Sequence, residues 1–546
     1  MSDKLFVIGI GGTGMRCLES FVHLCAIGMF DNQEINVLTL DTDATNGNLE
    51  RVRKLIGLYS DIKSGTTKDG GTPNNNTFFS AKLNLYGFNT DYDSSKRRTY
   101  KGITGLNVGE SSKHNKMLSD LFLDNSSVQE FDLNHGYRAQ THLGSYLMYH
   151  GIVEAAINLV KGGDVSPAEK DLDEFIQKIS KAGEEARVFI FGSVFGGTGA
   201  SSIPVIPTAL SDAMKVRSQG KSPLDVTKVK FGSTLLTEYF SFKKPDQGEM
   251  ETKANSVIAD SSFFPLNSQA ALQFYQSDPT VQNVYKRLYH VGWPLESKSM
   301  DKKGAEKTIT GGKTQKNPCH FVELLCACAA MDFFNATDLK SEGKAEYLFR
   351  TGEFENGAFN FKASDLVGNQ NNIDEKFIDK LGAFLSLAHI ILTTNEAGFG
   401  NKGFLGLRKR LEKQKLNVYS TVPEKELEEL DEYMRLFGYF FDNSNSFNSG
   451  WIYQVRESIQ PGNFIFTNAA FSKSLKDLKD LDVGKLYEDK NYHWDEGRLW
   501  SNTFDTFVDG LIKLEMDDGA HLVNHTKEKF IAHLHDGIMA SQSKKL

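Results

Sequence analysis

The sequence has few cysteines, and none is arranged as a metal ligand. The five are Cys17, Cys25, Cys319, Cys326 and Cys328, and each lies in an apolar stretch without a second Cys or His at zinc-binding spacing. We therefore expect reduced core cysteines and no dedicated protein metal site. Because disulfides persist mainly in oxidising compartments, this usage predicts a cytoplasmic protein.

Long hydrophobic runs and a strong excess of positive charge are also missing. No apolar run reaches the roughly 18 residues that would span a membrane, and Met1 leads into a strand without a signal-peptide pattern. The net charge of -8 over 546 residues argues against a nucleic-acid partner. This length, with 40% hydrophobic residues, predicts a soluble globular chain.

What the sequence does contain is two glycine turns, each between an apolar strand and a helical stretch. The first, GIGGTG at residues 9–14, matches G-x-G-x-x-G. Glycines let backbone N–H groups approach a phosphate, and the N-terminus of a helix attracts its charge. With the next apolar stretch, INVLTLDTD, this unit predicts a βαβ crossover in a parallel sheet. Taken alone, it fits an NAD- or FAD-binding domain with Asp41 as the ribose ligand.

The second turn, FGGTGAS at residues 195–201, follows a strand predicted at residues 186–192. A dinucleotide site does not need another glycine turn so far along the chain. A single nucleotide held from two sides does, because successive backbone N–H groups form anion-binding nests. Neither turn continues into Gly-Lys-Ser/Thr, which excludes a P-loop of the Walker type.

These motifs, in this order, resemble those of the tubulin/FtsZ superfamily. FGGTGASSIPVI is similar to the family's glycine signature GGGTGTGAAPVI, VIGIGGTGMRCLESF to its first phosphate loop, and LTLDTDAT to its second loop, NTDAQ. LLTEYFSF and an apolar helix from Pro318 follow in the family's order. The resemblance covers residues 1–340 with interruptions.

The resemblance implies an α/β fold: a parallel-sheet GTP-binding domain, a central helix, an α+β second domain and a helical C-terminal extension. We assign residues 1–317 to the nucleotide-binding domain, with an insertion at about 59–135, and residues 318–334 to the central helix. Residues 335–420 form the activation-like domain and residues 421–546 the extension. Long stretches rich in Gly, Asn and Ser indicate the insertion. Asn317 as N-cap and Pro318 in the first turn predict where the central helix begins.

The resemblance also implies the residues of a nucleotide site. The expected ligands are Gly11, Gly12, Thr13, Asp43, Ala44, Gly196, Gly197, Thr198, Gly199, Ala200 and Asn317. The family's catalytic loop corresponds to NATDLKSE, where Asn335 and Asp338 would act on the nucleotide of a neighbouring subunit. The implied cofactors are GTP or GDP with Mg²⁺.

The chain departs from the family at three points. Phe195 replaces the first glycine of the signature, and Lys243 replaces the glutamate that contacts ribose. The spacing from Asn335 to Asp338 differs by one residue from the catalytic loop, so the segment also fits an ordinary helix end. Asn317 fits a base contact or an N-cap equally well. The choice between guanine and adenine stays open.

The function implied by the resemblance is a prokaryotic tubulin-like GTPase. It would assemble head-to-tail into cytoskeletal filaments and hydrolyse GTP at the subunit interface. An alternative is a non-polymerising nucleotide-binding switch or scaffold, whose protein partners would bind the 59–135 insertion or the C-terminal helices. A third hypothesis, an NAD-dependent oxidoreductase, is based on the first turn alone. The sequence offers no convincing residue to act as an acid or base on its substrate.

Overall fold

The architecture comes from a computed structural model of the chain. It describes residues 4–64, 71–90, 99–104, 116–117, 120–121, 123, 126–130, 132–133, 136–137, 139–162, 164–221, 224–241, 260–293, 299–300, 312–313, 315–339, 345–348, 353–355, 358–396, 424–442, 446–459, 462–464 and 526–542. Lys243 lies outside the described residues.

The strands are numbered β1 to β14 in chain order. They are β1 (Leu5–Ile10), β2 (Glu34–Asp41), β3 (Lys82–Asn89), β4 (Arg187–Phe191), β5 (Lys230–Leu236), β6 (Phe240–Ser241), β7 (Tyr285–Val291), β8 (Ser299–Met300), β9 (Glu346–Leu348), β10 (Glu353–Glu355), β11 (Ala358–Phe361), β12 (Tyr439–Phe441), β13 (Phe447–Ser449) and β14 (Gly462–Phe464).

The α-helices are numbered α1 to α16 in the same way. They are α1 (Gly11–Ala26), α2 (Gly47–Ser64), α3 (Tyr100–Thr104), α4 (Ser126–Glu130), α5 (Thr141–Lys161), α6 (Pro167–Ala182), α7 (Thr198–Ser202), α8 (Ile206–Arg217), α9 (Phe264–Ser277), α10 (Pro279–Val284), α11 (Phe321–Asn335), α12 (Ala363–Val367), α13 (Ile373–Glu396), α14 (Glu424–Phe437), α15 (Trp451–Ser458) and α16 (Thr526–Gln542). Short 3-10 helices occupy Gly183–Glu185, Ser261–Phe263 and Gln370–Asn372.

Seven strands form one parallel sheet in the order β3-β2-β1-β4-β5-β7-β9. The predicted parallel α/β fold is therefore confirmed. Leu5 of β1 is paired with Ile35 on one side and with Arg187 on the other. The strands β2 and β3 lie on one side of β1, whereas β4 and the strands after it lie on the other side. The strand order therefore reverses between β1 and β4. In open α/β sheets, ligands bind at such a point, outside the carboxyl ends of the strands.

Both faces of this sheet are covered by helices, which explains why its central strands read as continuous apolar runs. In β1, Val7 joins the core that includes α1, α2, α11 and α13, whereas Phe6 and Ile8 join the core with α5, α6 and α8 on the other face. All six residues of β1 are buried. The helices α14, α15 and α16 contribute to the same core as α1.

The central helix, α11, crosses the sheet from its carboxyl edge to its amino edge. Its last turn lies at the start of β4, where Arg187 Nη1 donates to the carbonyls of Phe333 (3.0 Å) and Phe334 (2.7 Å). Its residues are apolar on nearly all sides and almost all buried, as the sequence predicts. The helix begins three residues later than expected, however, and the predicted N-cap is wrong.

His320, not Asn317, caps α11. The His320 Nδ1 accepts a hydrogen bond from the Val322 N–H (3.3 Å), and the Glu323 carboxylate accepts one from the His320 N–H (2.9 Å). Asn317 and Pro318 stay outside the helix because two arginines bind their carbonyl groups, as described below. Tertiary contacts therefore override the local Asn-Pro signal.

The sequence of residues 345–361, AEYLFRTGEFENGAFNF, predicts a hairpin, and this prediction is confirmed only in part. β10 and β11 pair antiparallel, with Phe354 opposite Phe359, but β9 leaves them and pairs parallel with β7 at the edge of the large sheet. The sequence patterns of residues 375–394 and 422–441 predict two helices. The structure has them as α13 and α14, but the end of the second segment forms β12. None of the described helices combines the length and hydropathy needed to cross a membrane.

Candidate functional site

The two glycine turns lie side by side, as the sequence predicts for a site held from two sides. β1 and β4 are parallel neighbours, so the turns that follow them emerge at the same edge of the sheet. A Cβ atom built on Gly11 would lie 3.1 Å from the Thr198 Cβ. Gly11 also has a φ of +63°, in the left-handed region that favours glycine.

The first turn places the N-terminus of a helix at this edge of the sheet. Helix α1 begins at Gly11, immediately after β1; no described side chain caps it, and its first turn contains no acidic residue. Gly12 and Thr13 keep part of their surface exposed, whereas Gly14 is buried. A Cβ on Gly14 would lie 2.5 Å from the Phe191 carbonyl oxygen, so this glycine allows α1 to pack against β4. The N–H groups at the start of such a helix favour an anion.

The second turn has the same character. Helix α7 begins at Thr198, with Gly197 as an N-cap that supplies no side chain, and its first turn also lacks acidic residues. Gly196, Gly197 and Thr198 are partly exposed, but Gly199 and Ala200 are buried. A Cβ on Gly199 would lie 2.8 Å from the Ser193 carbonyl oxygen, which gives this residue a structural reason to be glycine.

Phe195, the departure from the family signature, is accommodated by packing. Its ring is 2% exposed and lies 4.8 Å from the Phe264 ring and 5.5 Å from the Phe240 ring, measured between centroids. The side chain therefore anchors the second turn in an aromatic cluster.

The turn after β2 is held together by its two aspartates. One Asp41 oxygen accepts hydrogen bonds from the N–H groups of Thr42 (2.7 Å) and Asp43 (3.2 Å). Asp43 Oδ1 accepts from the Thr45 N–H (2.9 Å) and hydroxyl (2.8 Å), and Asp43 Oδ2 accepts from the Gly312 N–H (2.6 Å). Both carboxylate oxygens of Asp43 are therefore occupied by hydrogen bonds within the protein. Ala44, beside it, is exposed.

The carboxyl group of Asp41 has a pKa well above its ordinary value. Burial raises its pKa to about 7, although the N–H groups of Asp43 and Thr42 favour the charged form. Its Oδ2 atom and the Thr42 hydroxyl are buried without a hydrogen-bond partner among the described residues. Such buried polar atoms are costly, so both are candidates to meet a ligand.

A third glycine, Gly136, lies beside the same two threonines at the end of the 59–135 insertion. It was not among the residues predicted from the sequence. Gly136 has a φ of +83°, and a Cβ on it would lie 3.5 Å from the Thr198 Oγ1 and 3.7 Å from the Thr42 Oγ1. In the sequence, Gly136 is marked only by its position between a polar region and the helical pattern of α5. Three turns from distant parts of the chain therefore meet around two threonine hydroxyls.

Amide side chains line the other side of the first turn. Asn46 Nδ2 donates to Gln315 Oε1 (2.6 Å), and Asn48 Nδ2 donates to Asn317 Oδ1 (3.3 Å). A Cβ on Gly12 would lie 3.4 Å from Asn46 Nδ2, Asn48 Nδ2 and Gln315 Oε1 alike. The structure thus brings Asn317 to the glycine turns, together with three amides that the sequence analysis did not select.

The buried Arg16 and the half-buried Arg51 hold Asn317 and Pro318 in position. Arg16, paired with the buried Glu323, donates through Nη2 to the Pro318 carbonyl (2.7 Å). Arg51, paired with Glu19 at 2.5 Å, donates through Nη1 to the Asn317 carbonyl (3.1 Å). Arg16 is on α1, which follows the first glycine turn, and Arg51 is on α2, which follows the turn after β2. The segment before α11 is therefore tied to both helices.

Asn335 and Asp338 are not brought to this site. They lie at the amino edge of the sheet, and α11, with 15 residues, separates them from the glycine turns by about 20 Å. Asn335 is exposed. The Asp338 carboxylate is 72% exposed and accepts from Arg287 Nη2 at 3.0 Å through both oxygens. Within one chain, these residues cannot contact a ligand at the glycine turns.

The donor set fits a phosphate-bearing ligand. Phosphate oxygens only accept hydrogen bonds, and the turns offer backbone N–H groups and the Thr198 hydroxyl around one point. In the described part of the chain, no group of three or more His, Cys, Asp or Glu side chains could hold a metal ion. A Mg²⁺ ion would therefore bind mainly through phosphate oxygens and water, as it commonly does.

Comparison of the chain with protein-family models and with curated proteins finds no match.

Proposed function

We propose that this chain is a tubulin-like GTP-binding protein that self-assembles and hydrolyses GTP where two subunits meet. The observation that supports this most directly is the contact between the two glycine turns, Gly11 against Thr198, at the carboxyl ends of adjacent parallel strands. One phosphate chain at this point would meet both turns and Gly136 at once. A dinucleotide site of the oxidoreductase type would leave the second turn without a role.

In this proposal, the binding residues act through backbone N–H groups and one hydroxyl. Gly12 and Thr13 bind phosphate from the first turn, and Gly196, Gly197 and Thr198 bind it from the second. The buried Gly11, Gly199 and Ala200 shape the turns. Mg²⁺, when bound to the phosphates, would neutralise part of their negative charge.

The proposed catalytic residues belong to the opposite end of the molecule. Since Asp338 lies about 20 Å from the glycine turns of its own chain, its carboxylate can orient a water molecule only at the site of a second copy. That arrangement requires head-to-tail contact, which generates an open filament when the rotation between subunits does not close.

The alternative, a nucleotide-bound switch or scaffold without hydrolysis, is favoured by one observation. Asp338 accepts two hydrogen bonds from Arg287 of its own chain. A carboxylate held in this way must leave, or share, its arginine before it can act on a neighbour's nucleotide.

The test is the rate of phosphate release from GTP per protein molecule across a range of protein concentrations. A specific rate that rises with concentration supports a site completed by a second copy. A flat rate with tight GTP binding supports the scaffold. Gly197→Asp, which places a carboxylate in the second turn, should abolish binding; unchanged binding by this variant would exclude the site. Tight NADH binding without GTP binding would support the oxidoreductase.

A further inference from the structure

Asn48 carries a buried oxygen that the protein leaves without a partner. The residue is 2% exposed, its backbone N–H donates to Asn46 Oδ1 (2.9 Å), and its Nδ2 donates to Asn317 Oδ1 (3.3 Å). Its Oδ1 has no hydrogen-bond partner among the described residues. The amide lies beside the first glycine turn, since Asn48 Nδ2 would be 3.4 Å from a Cβ on Gly12.

Two side chains of the turn after β2, those of Asp43 and Asn46, are already engaged in hydrogen bonds. Asp43 accepts hydrogen bonds at both carboxylate oxygens. Asn46 accepts at Oδ1 from Asn48 and donates from Nδ2 to Gln315. Asn48, in the first turn of α2, therefore differs from Asn46 in retaining an unused acceptor. An unsatisfied buried carbonyl is costly enough to call for an explanation.

The orientation of this amide is set by its surroundings. Asn317 receives the Nδ2 end of Asn48, and Asn317 is itself held through its carbonyl by the Arg51 guanidinium (3.1 Å). The charge of Arg51 is balanced by the Glu19 carboxylate, whose Oε2 lies 2.5 Å from the Arg51 Nη2. Because the Nδ2 end of the Asn48 amide is bound to Asn317, the Oδ1 end faces away from Asn317.

The chemistry of the unused atom identifies the part of a ligand that it suits. A phosphate has no hydrogen to donate at neutral pH, so the glycine turns, not Asn48, match it. An amide oxygen accepts from an O–H or N–H group. In a guanine nucleotide, such donors are the ribose hydroxyls, the ring N1–H and the 2-amino group.

We propose that Asn48 is a specificity-determining residue that reads the nucleoside part of the ligand. Its Oδ1 accepts a hydrogen bond from a ribose hydroxyl or from the guanine 2-amino group. This inference rests on the proposed nucleotide-binding function and names the group that distinguishes one nucleotide from another.

The test measures, by titration calorimetry on the full chain, the affinities for GTP, 2′-deoxy-GTP, 3′-deoxy-GTP and ITP, which lacks the 2-amino group. Wild-type protein should bind one of the three analogues about tenfold more weakly than GTP, because its donor to Asn48 is missing. Asn48→Ala should lose a similar factor for GTP but nothing for that analogue. The identity of the analogue separates a ribose contact from a base contact.

Asn84→Ala is the matched control. Asn84 also donates from its amide, to Glu34 (2.7 Å) and Asn36 (3.1 Å), but on β3 near the amino edge of the sheet. It should leave all four affinities unchanged. Equal wild-type affinities for all four nucleotides, or an equal loss for all four in Asn48→Ala, would overturn the role of Asn48. Absence of binding by any of them would instead reject the nucleotide function itself.

If Asn48→Ala fails to fold, the comparison of the four nucleotides on wild-type protein still decides the question. The proposal requires discrimination against at least one analogue that lacks a donor. Binding that depends only on the phosphates would be insensitive to all of these changes.

Discussion

Gly11 and Thr198 lie side by side although their glycine turns are far apart in the chain. A Cβ on Gly11 would lie 3.1 Å from the Thr198 Cβ and 3.7 Å from its hydroxyl oxygen. The contact exists because β1 and β4 are adjacent and parallel in the sheet. It makes the Thr198 hydroxyl the point at which both turns and Gly136 converge.

Thr198→Val should weaken nucleotide binding about tenfold without changing the fold, because it removes the hydroxyl and keeps the branched shape beside Gly11. Thr198→Ser, which keeps the hydroxyl, is the matched control and should bind within a factor of about two or three of wild type. Fluorescent-nucleotide titration, with thermal unfolding as the check on folding, measures both. A valine variant that binds like wild type would remove Thr198 from the site.

Gly14→Ala should destabilise the protein by about 1–3 kcal/mol or more, because the added Cβ would lie 2.5 Å from the Phe191 carbonyl oxygen in a packed layer. The matched control is Gly196→Ala, where the nearest atom, Ser193 Oγ, would be 3.4 Å away. Urea denaturation should show the loss for Gly14→Ala and little change for Gly196→Ala. Equal effects at the two positions would contradict the close packing of α1 on β4.

Asp41→Asn should change the pH dependence of stability. Burial raises the pKa of Asp41 to about 7, above the ordinary value of 3.8 that applies in the unfolded chain. The folded state therefore holds this proton more tightly, so the group's contribution is full below the unfolded pKa and is lost as pH rises towards and through about 7. Between about pH 5 and about pH 8, wild type should lose roughly 2 kcal/mol more than Asp41→Asn.

Urea midpoints at the two pH values measure this difference. Asparagine keeps an oxygen that can accept from the Thr42 and Asp43 N–H groups, so the turn should persist in the variant. Parallel loss of stability by both proteins would show that Asp41 ionises normally in the folded state.

Mixing two inactive variants should restore GTP hydrolysis if the site is shared between subunits. Gly197→Asp lacks a working glycine turn but keeps Asp338, while Asp338→Ala keeps the turn but lacks the carboxylate. In a mixed head-to-tail assembly, some interfaces would combine an intact turn with an intact Asp338. Phosphate release by the mixture, well above the sum of the separate variants, is the expected result; no recovery, with assembly retained, would argue against catalysis in trans.

The parts of the site that the sequence predicted are those encoded within a few consecutive residues. A strand, a glycine turn and a helix follow one another at GIGGTG and again at FGGTGAS, and such local patterns survive in the folded protein as β1–α1 and β4–α7. The alternation of apolar strands and helices likewise predicted a parallel sheet, because parallel neighbours need a crossover connection.

The start of the central helix shows where local signals fail. Asn317 and Pro318 have the residue types of a helix start, yet the helix begins at Phe321 with His320 as its cap. Arg51 and Arg16, which are distant in sequence, bind the carbonyls of Asn317 and Pro318. A guanidinium group removed from water needs hydrogen-bond acceptors, and here the two carbonyl groups supply them. No sequence pattern around residue 317 indicates these contacts.

The consecutive residues of this chain determined its class of fold, the existence of both glycine turns and the apolar central helix, since each depends on periodicity or on glycine's access to special backbone angles. Only the tertiary structure decided that Gly136 joins the turns, that Asn48 keeps an unused oxygen beside Gly12, and that Asp338 lies at the far edge of the sheet. These are relations between segments far apart in the chain. They arise from strand order and from the direction of α11, which short sequence patterns do not encode.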